Sequence, residues 1–348
     1  MDQPANDLLI GREGRLGRIT LNRPRALNAL NRAMIDGMTE ALAEFAADDE
    51  ISAVLLDGAG ERGLCAGGDI RAVHDATRDG DLGSALAFFR AEYRLNAAIA
   101  EFPKPYVALM DGIVMGGGVG VSAHGLWRLV TDRTRLAMPE TGIGFVPDVG
   151  GTWLLGRAGV AGLRAALCST ELNGEACLAL GLADFLLPAM RLPEVAEVLA
   201  GCETRADVAA ALAGLAGPTA RQPSALPDWA AYAYARPTME AILTALKAGP
   251  EAAREEAALL ARKCPFSLKV TLRAVRTAPG LGSLRAALAQ EFRLVQCLIT
   301  RPDFREGVRA AIIDKDRSPS WTPATLAEIP DALIDAAFAA GDQGGLGW

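Results

Sequence analysis

The stretch KPYVALMDGIVMGGGVG, Lys104 to Gly120, sets the reading of the whole chain. Pro105 to Met110 is an apolar strand, and it runs on into Gly116, Gly117 and Gly118. A helix of small residues, Val119 to His124, follows. Free backbone N–H groups at such a helix start bind developing negative charge. Val107 to Ala123 is also the most membrane-like run, but Asp111 and five glycines interrupt it and argue against a spanning helix.

Working outward, a second glycine segment, Leu64-Cys65-Ala66-Gly67-Gly68-Asp69, follows the short buried strand Ser52 to Asp57. Two loops of this kind can offer two N–H groups to one carbonyl oxygen, an oxyanion hole. Either loop taken alone reads as well as a tight turn, or as glycines that let a helix approach a strand. Neither matches the spacing of the dinucleotide-binding GxGxxG turn. Around them, Gly17 to Asn22 reads as a strand and Leu27 to Ala47 as a helix, with Ile35, Met38, Leu42 and Phe45 at helical spacing. Gly83 to Phe102 and Thr152 to Thr170 read as helices, Gly174 to Gly181 as a short one. Trp127 to Thr131, Arg135 to Met138 and Ala183 to Leu187 read as strands. The first ~190 residues therefore have an α/β pattern.

After Pro188 the texture becomes helical. Pro193 suits a first helical turn, and Ser267 and Ser283 read as N-caps of Leu268 to Arg276 and Leu284 to Ile299. Gly217-Pro218 and Gln222 to Asp228 interrupt the helices, and Gly341 to Trp348 reads as a fraying end. Leu284, Leu288, Phe292, Val295 and Ile299 form an apolar stripe suited to packing on a core. The expected domains are a core over 1–190 and a helical region over 191–348.

Composition narrows the chemistry. With 35 basic and 42 acidic residues, the net charge of −7 gives no support to a nucleic-acid or anionic-membrane partner. The six cysteines form no CxxC pair and read as reduced, buried thiols, with Cys65 a small apolar filler. Two histidines, His74 and His124, are too few for an imidazole metal site, and no metal is expected. Acid-base work falls to carboxylates or backbone groups. The dense loop MPETGIGFVPDVGG, Met138 to Gly151, carries two carboxylates, Glu140 and Asp148, among apolar neighbours, where raised pKa values suit acid-base work. Local sequence equally allows Glu140 to cap a turn and Asp148 to cap the helix at Thr152.

These features, in this order, resemble the crotonase (enoyl-CoA hydratase/isomerase) superfamily, from RITLNRP at Arg18 and ALNAL at Ala26 through both glycine segments to Leu187. The runs FFRAEYRLN (Phe88 to Asn96), KPYVALMDGIVMGGGVG and MPETGIGFVPDVGG look like its 3-hydroxyisobutyryl-CoA hydrolase subgroup. CPFSLKVTLR (Cys264 to Arg273), QEFRLVQ (Gln290 to Gln296) and DFREGVRAAIIDKDRSPSW (Asp303 to Trp321) agree, while about Ala200 to Arg262 matches no motif.

The resemblance implies a crotonase-like spiral of ββα units with a helical C-terminal region. It implies hydrolysis of a short-chain 3-hydroxyacyl-CoA thioester, 3-hydroxyisobutyryl-CoA foremost, as in valine catabolism. Ala66 and Gly117 N–H groups would form the oxyanion hole. Arg25, Ala26 and Leu27, with Ala66, Gly67, Gly68 and Asp69, would line the coenzyme A site. Glu140 would be the principal catalytic carboxylate, acting as nucleophile or as general base. Asp148 would donate a proton or orient water, and Glu92 would accept a hydrogen bond from the substrate hydroxyl. Hydratases of this superfamily carry a second glutamate where this chain has Gly120, and tend to have glycine where it has Asp148, which favours hydrolysis. An enoyl-CoA hydratase or isomerase and a catalytically silent acyl-CoA-binding protein are the competing readings. No cofactor beyond the substrate's own coenzyme A is expected. The expected setting is cytoplasmic, from the lack of an apolar core in Met1 to Asp7, with a homo-oligomer possible. Lys315 and Arg317 read as a solvated turn.

Overall fold

The structure is a computed structural model that describes residues 6–217, 226–339 and 345–348. Parts of the expected interruptions at Gly217-Pro218 and Gln222 to Asp228, and of the expected fraying end, lie outside the described residues. The chain divides into two compact units. Among described residues one holds 6–68, 94–136 and 172–217, and the other 69–93, 137–171, 226–339 and 345–348.

The first unit is built on a sheet. The strands are β1 (Leu8–Glu13), β2 (Leu16–Leu21), β3 (Ala53–Gly58), β4 (Tyr106–Met110), β5 (Ile113–Met115), β6 (Trp127–Thr131), β7 (Arg135–Ala137) and β8 (Phe185–Leu187). Six of them line up in the order β1-β2-β3-β4-β6-β8, with β1 antiparallel to β2 and every later pair parallel. Parallel strands covered on both faces read as unbroken apolar runs. Ala53 to Asp57 and Tyr106 to Met110 are accordingly buried throughout. One face carries Leu16, Leu55, Val107 and Leu129, packed with Val195, Leu199, Val208 and Leu212 of the helices Leu192–Ala200 and Arg205–Ala216. The helix Arg32–Ala47 packs on β1 and β2 and buries Ile35, Met38, Leu42 and Phe45. Asn31 caps it, accepting from the Met34 N–H at 2.9 Å.

The second unit is helical. Its helix Pro265–Thr277 packs on Gly151–Arg157 and Gly159–Cys168, and Leu284–Leu298 packs on Gly151–Arg157. The apolar stripe of Leu284–Leu298 buries Leu288, Phe292 and Val295 as expected.

The α/β reading agrees with the structure, three readings are corrected, and two elements are added. The boundary expected near residue 190 is not where the units part, because Leu192–Ala200 and Arg205–Ala216 bury their apolar faces on the sheet. The helix read over Thr152 to Thr170 is two, broken at Ala158 before Gly159 with φ +63°. Ser267 is not an N-cap, because Pro265 starts that helix after Cys264 and leaves Ser267 buried inside it. Strand β1 and the helix Ile70–Arg78 went unread, and Leu9 and Ile10 of β1 are exposed and show no inward alternation. Ser283 does cap, accepting from the Ala286 N–H at 3.2 Å. No described helix is long and apolar enough to cross a membrane.

Candidate active site

In the first unit the two glycine loops lie side by side. Cys65 N–H donates to Ile113 O at 3.1 Å, and Met115 N–H donates to Cys65 O at 2.9 Å. Gly118 fits so tightly here that a Cβ on it would stand 2.4 Å from Cys65 O. The Arg25–Leu27 segment joins the same ladder. Pro24–Ala26 is a 3-10 turn, Leu27 and Asn28 are left-handed (φ 52° and 54°), and Leu30 N–H donates to Gly67 O at 2.9 Å. Asn28 holds this turn, donating to Ala59 O and Gly63 O and accepting from Arg23 N–H. The segments expected to line the coenzyme A site, Arg25 to Leu27 and Ala66 to Gly68, are thus in one backbone ladder, and Asp69 begins the second unit.

The ladder corrects one donor. Ala66 N–H already donates to Leu27 O at 3.0 Å, so it is not free to meet a substrate oxygen. Two residues on, Gly68 N–H has no acceptor among the described residues, nor does Gly117 N–H at the first position of the helix Gly117–Ser122. An amide at that position has no partner within its own helix. The available pair is therefore Gly68 and Gly117.

In the second unit a group of acids is buried together. Glu140 opens the 3-10 turn Glu140–Ile143, and Asp148 lies on the loop that leads to Gly151–Arg157. Glu92 comes from the helix Leu82–Ala100 and Glu291 from Leu284–Leu298. Glu140 and Asp148 are each 5% exposed, Glu92 2% and Glu291 0%. Neither Glu140 nor Asp148 is a cap: the N-cap of Gly151–Arg157 is Gly150, and Asp148 Oδ2 instead accepts from Tyr93 Oη at 2.6 Å. Glu140 Oε2 and Glu92 Oε1 are buried with no hydrogen-bond partner among the described residues. Leaving a buried acceptor unpaired costs about 1–3 kcal/mol.

Electrostatics follows from that burial. Desolvation, reinforced by the charge of Asp148, holds Glu140 well above the usual carboxylate range, and the Lys263 ammonium opposes it. Glu92 is raised well by burial and then by Asp148. Burial pushes Asp148 up to about 7 against the pull of the Tyr93 hydroxyl. Burial pushes Glu291 up to about 8 against the donors from Thr152 and Gly150. Lys263 is lowered by burial, and its ammonium donates to Ser169 Oγ at 2.8 Å. Groups poised near neutrality suit proton transfer at physiological pH.

The sequence reading missed Tyr93 as a partner of Asp148, and it missed Glu291 and Lys263. The only signal for Glu291 was a charge set between Leu288 and Phe292 within an apolar stripe. His74 lies beside Asp75, with Nδ1 3.2 Å from Oδ1. Lys315 and Arg317 are exposed, flanked by Asp314 and Asp316, which pair with Arg309.

Comparison with known proteins places this arrangement. The profile of the enoyl-CoA hydratase/isomerase family matches residues 16–338. The chain belongs to the enoyl-CoA hydratase/isomerase family. Among curated members, the mitochondrial 3-hydroxyisobutyryl-CoA hydrolase of Danio rerio is 40% identical, over 97% of this chain and 91% of that protein. That of Homo sapiens is 37% identical over 96% and 89%. Of solved family structures, a carnitinyl-CoA dehydratase from Mycobacterium thermoresistibile is 45% identical with a TM-score of 0.90, covering 98% of both chains. An enoyl-CoA hydratase from Rhodobacter sphaeroides 2.4.1 is 37% identical with a TM-score of 0.90, covering 99% of this chain and 100% of that one. These relatives also correct the expected setting: the curated members are mitochondrial proteins, and the cytoplasmic reading does not stand.

Proposed function

We propose that this protein hydrolyses a short-chain 3-hydroxyacyl-CoA thioester, with 3-hydroxyisobutyryl-CoA as substrate, a step of valine catabolism. The observation that carries the reading is the buried Glu140, with one oxygen unpartnered, in one unit with an Asp148 held by Tyr93. The hydrolase names of relatives 37–40% identical along nearly the whole chain support it. Gly120, where hydratases of the family place a second glutamate, supports it too, since glycine cannot hold a water or move a proton.

In this mechanism the amides of Gly68 and Gly117 donate to the thioester carbonyl oxygen. Losing one such donor typically costs about 3 kcal/mol of transition-state stabilisation. Glu140 attacks the carbonyl carbon in its ionised form, the C–S bond breaks, and coenzyme A thiolate leaves with the electron pair. Water then attacks the resulting anhydride, and Asp148 takes its proton. The acid is released, Glu140 is restored, and the proton passes to the thiolate. Glu92 accepts a hydrogen bond from the substrate's 3-hydroxyl. Arg25, Ala26, Leu27, Ala66, Gly67, Gly68 and Asp69 line the coenzyme A portion, whose binding supplies the positioning.

Glu140→Gln tests this directly. Free-thiol release from 3-hydroxyisobutyryl-CoA should fall by about 10⁴-fold or more, with acyl-CoA binding retained. Full activity in that variant rejects the assignment. Heavy oxygen from water incorporated into Glu140 marks it as nucleophile rather than base. The second reading, hydration, is favoured by the names of the two solved family members with TM-scores of 0.90. Loss of the crotonyl-CoA double-bond absorbance without thiol release would establish it.

A further inference from the structure

The helix Leu284–Leu298 contributes two adjacent residues, Glu291 and Phe292, to the surroundings of Asp148. Glu291 is fully buried and forms no ion pair among the described residues. Its carboxylate accepts instead from Gly150 N–H at 2.7 Å, from Thr152 N–H at 3.0 Å and from the Thr152 hydroxyl. Those donors form the turn just after Asp148. The turn needs holding, because Val149 sits at φ +52°, a left-handed conformation costly for a β-branched residue, and Gly150 at φ +80° has no side chain with which to cap the helix it precedes. Phe292 acts on the other side. Its ring meets the Tyr93 ring edge-on with centroids 6.0 Å apart, and Phe89 meets Tyr93 at 6.2 Å. The ring so fixed aims its hydroxyl at Asp148 Oδ2.

We propose that Glu291 and Tyr93 are positioning residues that hold Asp148 in its working orientation, Glu291 through the 150–152 turn and Tyr93 through its hydroxyl, with Phe292 fixing the Tyr93 ring. The helix Leu284–Leu298 is then part of the catalytic apparatus and not only a cover for apolar surface. Misplacing a reacting group by about 1 Å can cost on the order of 10²-fold in rate. The groups facing Asp148 are Glu92 and Tyr93 from one helix, Glu140 from its turn and Glu291 from Leu284–Leu298, while Lys263 faces Glu140. The Tyr93 hydroxyl favours the ionised form of Asp148, so its loss moves that titration upward.

The proposal rests on the hydrolase reading, so the test needs a readout that survives the failure of that reading. The full-length protein with ¹³C-labelled aspartate carboxyls is titrated by NMR, and thiol release is measured alongside. Tyr93→Phe should raise the Asp148 midpoint by about one unit, which corresponds to 1.36 kcal/mol. It should also lower kcat by about 10-fold with KM within about 3-fold. Glu291→Gln keeps one acceptor oxygen but presents an NH₂ group to one of the turn's donors. It should lower kcat by about 10²-fold at unchanged KM and displace the Asp148 midpoint. If Glu291→Gln does not fold, Thr152→Val removes only the hydroxyl bond to Glu291 and should give a smaller loss of the same kind. Folded variants with the wild-type midpoint and the wild-type kcat reduce Glu291 to a structural cap and overturn the proposal. A wild-type protein that releases no thiol, with the Asp148 midpoint still moved by Tyr93→Phe, rejects the hydrolase reading and leaves the positioning role standing.

Discussion

The glycine loops of the first unit and the acid cluster of the second handle polarity in opposite ways. At Ala66–Gly68 and Gly116–Gly118 the polar groups are amides locked by a backbone ladder, and the two with no acceptor among the described residues, Gly68 and Gly117, have no side chain at all. At Glu92, Glu140, Asp148 and Glu291 the polar groups are side chains taken out of water, two of them with an oxygen left unpartnered. A fixed dipole carries no net charge, so its burial costs less than that of an ion and does not change with pH. A buried carboxylate is expensive, and its proton affinity rises to reduce that expense. The first region should therefore be broken by adding atoms, whatever the pH. The second should be broken by removing charge, with a response that depends on pH.

Gly118→Ala puts the first half of that contrast to its severest test. The added Cβ would meet Cys65 O at 2.4 Å and Cys65 Cβ at 2.9 Å, and the carbonyl belongs to a backbone that cannot swing aside. The helix start must shift, and the Gly117 amide shifts with it. Thiol release per unit kcat/KM should fall by about 10²–10³-fold, the scale of one lost oxyanion donor. Activity within about 3-fold of wild type would mean that the loops have slack, and the contrast would fail on its glycine side.

Asp148→Asn addresses the acid side with a smaller effect. Thiolate leaves readily, so in the proposed mechanism Asp148 serves to take the proton of the attacking water. Its carboxyl titrates near 7, and the ionised form is the working one, so kcat should rise with pH through about 7. The amide should lower kcat by about 10²-fold at pH 8 and flatten that limb. A pH profile from 5.5 to 9 reads both. A limb that persists unchanged in Asp148→Asn belongs to another group of the cluster.

How far such features can be seen in a sequence depends on how local their cause is. The strand and helix of Lys104 to Gly120 were legible because apolar run and glycine punctuation are properties of neighbouring residues. Glu140 and Asp148 stood out as charges in an apolar, proline-rich loop. The choice between Ala66 and Gly68 did not, because the free amide is decided by a ladder to Leu27 and Leu30, whose register no local pattern reveals. Glu291 was hidden for the same reason on a longer scale, since it caps a turn 141 residues away from it. Local sequence allows Asp148 to cap the following helix as well as to act as a catalytic carboxylate. The structure gives that task to Glu291, while Asp148 accepts from the Tyr93 hydroxyl.

The smallest predicted effect is the one that separates the two regions by kind. Asp148 is raised from 3.8 to about 7 in the folded protein, so between those values the folded state keeps a proton that the unfolded chain has lost. Stability contributed by that proton is fully present below about pH 4 and is lost as pH rises to about 7. At about 1.4 kcal/mol per unit the loss is on the order of a few kcal/mol. Asparagine has no proton to lose, so Asp148→Asn should gain on wild type as pH rises. The difference in Tm, variant minus wild type, should increase by several degrees between pH 5 and pH 8. Gly118→Ala destabilises by crowding, about 1–3 kcal/mol, and nothing in that contact titrates. Its Tm deficit should be the same at both values of pH. Thermal melts of the two variants beside wild type at pH 5 and pH 8 decide the matter. A pH-independent Asp148→Asn difference would show that Asp148 is ionised in the folded state throughout, with Tyr93 and the turn held by Glu291 offsetting the whole desolvation cost.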